Sequence, residues 1–178
     1  MKLNFWKISV TPLVVGLIAA ILLIIDGTIA PIFKVGASFM WIAFINWNLF
    51  FGSSDTDRLK AVPGFIIGYV SANLIINFGN YFSIFSNAKI INTMIASVIA
   101  VFIINALVMY FQHAKKYFLD SIPAIFVGIA LTFSGAGISL KAYDLSLLLI
   151  IMIYGILGLL CGFYTNYFVK KINAKHIF

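Results

Sequence analysis

Glutamate is missing from this sequence, and its five acidic residues are all aspartate: Asp26, Asp55, Asp57, Asp120 and Asp144. With twelve Lys and Arg, charged residues make up 10% of the 178, against roughly 25% in an average soluble domain. That is too little charge to clothe a soluble surface. A soluble domain of about 150 residues buries only about 70% of the area its unfolded chain exposes. Because 63% of this chain is hydrophobic, lipid must be the solvent for the remainder. Cysteine occurs once, at Cys161, which excludes an intrachain disulfide; in an apolar run it reads as a small packing residue. His113 and His176 have no Glu or Cys partner at metal-ligand spacing, so neither a metal site nor a cofactor is expected. G-x-S-x-G, H-E-x-x-H and phosphate-cradling glycine loops are absent too, and no carboxylate pair sits near the centre of an apolar run. An enzyme is not expected.

The net charge of +7 does not point to nucleic acid, because the basic residues stand singly or in pairs between apolar runs, with no stacking platform beside them. A membrane span needs about 20 apolar residues. Six segments qualify, over residues 8–25, 35–51, 61–79, 90–112, 118–135 and 145–169, so the expected fold is an all-α polytopic membrane protein with six transmembrane helices in a single domain. Residues 8–25 continue too far without a small-residue cleavage site for a signal peptide and are read as the first span. Beyond Asp26, Gly27–Phe33 is again apolar and is open to a re-entrant reading. The N-terminus, the gaps after spans two and four and the C-terminus hold nine of the twelve basic residues (Lys2, Lys7, Arg58, Lys60, Lys115, Lys116, Lys170, Lys171, Lys175); Lys34, Lys89 and Lys141 occupy the other side. Positively charged short loops stay cytoplasmic, which places both termini inside.

Leu59-Lys-Ala-Val-Pro63-Gly-Phe-Ile-Ile-Gly68 and Leu119-Asp-Ser-Ile-Pro123-Ala-Ile-Phe-Val-Gly128 match sixty positions apart. Both follow a basic gap, which predicts a parallel internal repeat in which spans two and three correspond to spans four and five. Pro63 and Pro123 are expected near helix starts, where proline costs no needed donor. Gly64/Gly68, Ala124/Gly128 and Gly158/Gly162 form small-xxx-small faces that let helix backbones approach closely in lipid. Asp55, Asp57 and Asp120 read as residues of helix beginnings, where caps and the helix dipole favour them.

The informative polar residues are neutral. Asn46 and Asn48 flank Trp47 in span two. Tyr69, Asn73 and Asn77 recur on one face of span three. Thr93, Ser97 and Asn105 share a face of span four, and Thr132 and Ser134 lie in span five. Polar groups in hydrocarbon must be satisfied, so these should face inward. Two readings stand side by side. In one they are interhelical hydrogen-bond glue, worth about 0.6 kcal/mol each; in the other, Asn46, Asn48, Tyr69, Asn73, Asn77, Asn105, Thr132 and Ser134 line a path or pocket for a small solute. Thr132–Gly137, rich in small residues, is open to being a broken helix or a flexible outer turn. With no ionisable residue deep in a span, a path would be neutral and passage passive.

Trp41-x-x-Phe44-x-x-Trp47-x-x-Phe50-Phe51-Gly52 and Pro123-Ala-Ile-Phe126-Val-Gly128-Ile-Ala-Leu-Thr132-Phe133-Ser-Gly135-Ala-Gly137 closely resemble the YcdZ-like family of small bacterial inner-membrane proteins, the domain of unknown function 1097. The resemblance covers about residues 35–168. It implies a bacterial inner-membrane location and a small multi-span fold, and carries over no catalytic or binding residue. Taken together, the expectation is a small-solute channel or facilitator for a small neutral polar solute, assembled as a homo-oligomer in the lipid bilayer. The competing expectation is a non-transporting membrane subunit, substrate-capturing or regulatory, that works with a partner protein.

Overall fold

The computed structural model describes residues 5–33, 39–83, 89–113, 119–137 and 144–175, and every secondary-structure element among them is helical. In chain order these are α1 (Phe5–Ile29), a 3-10 turn (Ala30–Phe33), α2 (Met40–Leu49), α3 (Asp55–Ser83), α4 (Lys89–Met109), a second 3-10 turn (Tyr110–His113), α5 (Ile122–Gly137) and α6 (Leu145–Lys175). The chain divides into two compact units. One holds Met1–Asp55 with Tyr154–Phe178, the other Thr56–Ile153.

Among the described residues, four helical segments are long and apolar enough to cross a membrane: Val10–Phe33, Asp55–Gly79, Ile95–His113 and Leu145–Ile172. They present large side chains outward, with Phe102 75% and Ile24 69% exposed. In water such a surface would drive association; in lipid it is the solvated side. The chain is a helical membrane protein. Ile122–Ala136 is a shorter apolar helix. At 1.5 Å per residue, the ten residues of α2 reach about 15 Å, half of a hydrocarbon core of about 30 Å. The expected second span, 35–51, is thus helical only over Met40–Leu49, residues 35–38 lying outside the described ones. Its C-terminal end is set by Gly52, whose φ of 78° is a left-handed conformation suited to glycine.

In the unit containing α1 and α2, α2 packs along the middle of α6. A Cβ placed on Gly158 would strike the Ala43 carbonyl oxygen and lie 2.8 Å from Asn46 Cβ, and one on Gly162 would lie 3.6 Å from the Trp47 ring. The Phe39 and Tyr154 rings are 5.7 Å apart. Position 39 meets 154, 43 meets 158 and 47 meets 162, so the two helices run parallel.

In the other unit, α3 and α5 also run parallel, each residue against its counterpart sixty positions on. Lys60 Nζ lies 3.0 Å from Asp120 Oδ2. A Cβ on Gly64 would lie 2.7 Å from Ala124 Cβ, and one on Gly68 2.7 Å from Gly128 Cα. The small faces expected from the sequence therefore meet each other. Ala72, Val108, Ile125 and Ile129, flanked by Ile67, Ile104, Phe111 and Ile122, form the core joining α3, α4 and α5. The placement of the two prolines differs from expectation in one case. Pro123 is the second residue of α5, but α3 starts at Asp55 and encloses Pro63, because residues 55–60 extend the helix as a polar first turn and a half. Proline there removes one interior backbone bond.

Candidate functional site

The neutral polar residues are distributed over both units. On α2, Asn46 is fully buried, and its amide nitrogen donates to the Ile42 carbonyl at 2.9 Å, one turn back on the same helix. Asn48 is exposed and lines an open groove of about 310 Å³ with Val15, Phe44, Trp47 and Phe51. Phe44 and Trp47 stack there, centroids 5.9 Å apart and planes 9° apart, as their i, i+3 spacing on one helix allows.

On α3, Tyr69 and Asn73 are half-buried and Asn77 is exposed, so their shared face is enclosed at its beginning and open at its end. Asn73 donates its amide to the Tyr69 carbonyl at 2.9 Å, and the Tyr69 hydroxyl reaches the Asp144 carbonyl at 3.4 Å. On α4, Asn105 and Ser97 are half-buried; Ser97 Oγ occupies the space beside Gly79. The side chain of Thr93 lies outside the described residues. On α5, Thr132 is fully buried and its hydroxyl donates to the Gly128 carbonyl at 2.7 Å, while Ser134 is exposed. Thr132–Gly137 is continuous α-helix, with Gly135 in contact with Leu147, so the segment open to being a broken helix is unbroken as far as Gly137.

These bonds bear on the choice between glue and path. The amides of Asn46 and Asn73 bond within their own helices, the usual outlet for a polar side chain that lacks a cross-helix partner. The Oδ1 atoms of Asn46, Asn73 and Asn105 are buried and accept no hydrogen bond from the protein. A buried acceptor left in that state costs about 1–3 kcal/mol.

One polar centre lies outside the expected set. The sequence places Asp26 at the end of the first span and no ionisable residue deep within any span. The structure corrects this: α1 continues through Asp26 to Ile29, and the candidate span runs from Val10 to Phe33. Asp26 is therefore inside the span and only 4% exposed. Its Oδ1 accepts two hydrogen bonds, from the Tyr154 hydroxyl at 2.6 Å on α6 and from the Phe39 backbone N–H at 3.2 Å at the start of α2. Leu22, one turn back, is 1% exposed, and the Phe39 ring sits edge-on to Phe33 and tilted against Tyr154. The signal was present in the sequence, as an apolar run on both sides of one aspartate. Gly27–Phe33, open to a re-entrant reading, continues the same rod as α-helix and then as the 3-10 turn.

No curated protein and no solved structure matches the chain. A family described as "Protein of unknown function (DUF1097)" matches residues 12–171, a range that takes in Asp26, Tyr154 and all the neutral polar residues above. The sequence resemblance is thereby established, and the chain belongs to the DUF1097 family.

Proposed function

We propose that this protein is a small-solute channel or facilitator of the bacterial inner membrane, passing a small neutral polar solute through six spans with both termini in the cytoplasm. The observation that carries the proposal is the state of three asparagines. Asn46, Asn73 and Asn105 each hold a side-chain oxygen inside the protein with no donor from the protein. Such oxygens suit a mobile donor, a water, amide or alcohol that takes up the unmade bond and moves on. Glue residues would instead spend both ends of the amide on neighbouring helices.

The six-span topology draws support from the helix directions. Parallel α3 and α5 require α4 to return between them, and α2 parallel to α6 agrees with alternating crossings. The in-register meeting of residues 60, 64 and 68 with 120, 124 and 128 supports the parallel repeat, because counterparts related by a local two-fold axis face each other.

Uptake into proteoliposomes, screened over urea-sized amides, alcohols and weak acids, tests the proposal. Solute-specific flux above that of empty liposomes is expected, and it falls markedly in Asn46→Leu and Asn73→Leu. No such flux for any solute, with an ATPase or large membrane protein co-purifying instead, would replace it with the partner-dependent subunit.

A further inference from the structure

We propose that Asp26 is a proton-binding site within the membrane, and that its charge state sets how tightly α1, the start of α2 and α6 are held together. The inference does not rest on solute transport; it concerns a junction inside one compact unit and is measurable on the isolated chain.

Three observations place it there. First, the carboxylate is buried within an apolar span, where ionisable groups are costly and are retained for function. Second, one oxygen takes both donors, at 2.6 and 3.2 Å. The shorter distance falls within the range of an O–H donating to a charged oxygen, about 2.5–2.7 Å, so the site is built to give the ionised form a charge-assisted bond. Third, the two donors come from elements far apart in sequence, 128 and 13 residues away, so one atom ties three helical segments. The Phe39 N–H is moreover one of the unsatisfied donors at the beginning of α2, and Asp26 supplies its acceptor. Protonation leaves only a neutral carbonyl to accept both bonds, and neutral bonds are about half as strong as charge-assisted ones. The ionised junction is tight and the protonated one loose. Neither the 3-10 turn nor α2 carries a titratable side chain; α6 contributes Tyr154, and Lys34 lies outside the described residues.

The test combines infrared difference spectroscopy with hydrogen exchange on the purified chain in nanodiscs, scanned from about pH 9 to about pH 4. A protonated-carboxyl C=O band should grow as pH falls and be missing from Asp26→Asn. In parallel, protection of the Phe39 N–H, taken relative to an unstructured chain at the same pH, should fall about tenfold as a charge-assisted bond becomes neutral. Tyr154→Phe keeps the carboxyl and its bond to the Phe39 N–H, so it should show the band with Phe39 protection still falling as pH falls, and it serves if Asp26→Asn does not accumulate. The absence of an Asp26-dependent band, or a band with Phe39 protection unchanged, would overturn the proposal.

Discussion

Replacing Gly68 by alanine is the sharpest probe of the α3–α5 pairing. The added carbon would meet the Ile125 carbonyl oxygen closer than real contacts allow, Gly128 Cα at 2.7 Å and Ile129 N at 2.8 Å. All three are backbone atoms of α5, so no side-chain rotation relieves the overlap and the helices must separate. Bringing 2.7 Å to an ordinary carbon contact of about 3.5–4.0 Å means moving one helix by about 1 Å. That separation also removes dispersion contacts along the whole crossing, for a cost of about 1–3 kcal/mol, typical of overpacking. The intrinsic preference of helices for alanine over glycine, about 1 kcal/mol, offsets part of it. Gly16 on α1 supplies the control, because a Cβ there meets nothing within 4 Å and only the propensity gain remains. Thermal unfolding in detergent should therefore place Gly68→Ala below the wild type and Gly16→Ala at or above it. Gly64→Ala should fall between them, since its nearest neighbour is the Ala124 Cβ with backbone no closer than 3.3 Å. Gly68→Ala matching Gly16→Ala would refute the close parallel crossing.

Three further outcomes are expected. Lys60 and Asp120 are only 19% and 14% exposed; reversing either charge should destabilise the chain and reversing both should restore it, with a coupling of about 1 kcal/mol in a double-mutant cycle. Asn73→Leu removes an unmade acceptor together with the amide bond to the Tyr69 carbonyl; the two effects oppose, so unfolding should shift by no more than about 1 kcal/mol while solute flux falls, and flux unchanged would reduce Asn73 to a structural residue. In a Cys161→Ser background, cysteines at Lys34, Lys89 or Lys141 should label from the periplasmic side and those at Arg58 or Lys116 should not, the reverse pattern rejecting the six-span topology.

Much of the helical layout was legible because lipid makes composition a direct reporter of burial. Long apolar runs and the Gly64/Gly68 and Ala124/Gly128 faces follow from one-dimensional patterns. The sequence could not show that these two faces meet each other, since a small-xxx-small stripe names no partner. It also misled at residues where local chemistry and tertiary context disagree. Asp26 looks like the end of a span because charge in lipid is costly, yet Tyr154, 128 positions away, supplies the donor that makes it tolerable. Pro63 looks like a helix start, yet the polar segment from Asp55 winds into the same helix. The neutral residues Asn46 and Thr132 were rightly read as inward-facing. Asn48, Asn77 and Ser134 are exposed, because a polar residue near a helix end can reach the interface without entering the core.

The in-register pairing of α3 with α5 also sets an order of events during synthesis. Gly68 finds its partner only after sixty further residues have been made, because the contact joins counterparts that far apart. At about 5–20 residues per second, α3 spends roughly 3–12 s beside the translocation machinery or in lipid with its small-residue face uncovered. During that interval the face is competent to pair with the α5 of a neighbouring nascent chain as readily as with its own. High expression should therefore produce exchanged pairs in which Lys60 of one molecule meets Asp120 of another, and slowing synthesis after α3 should increase them.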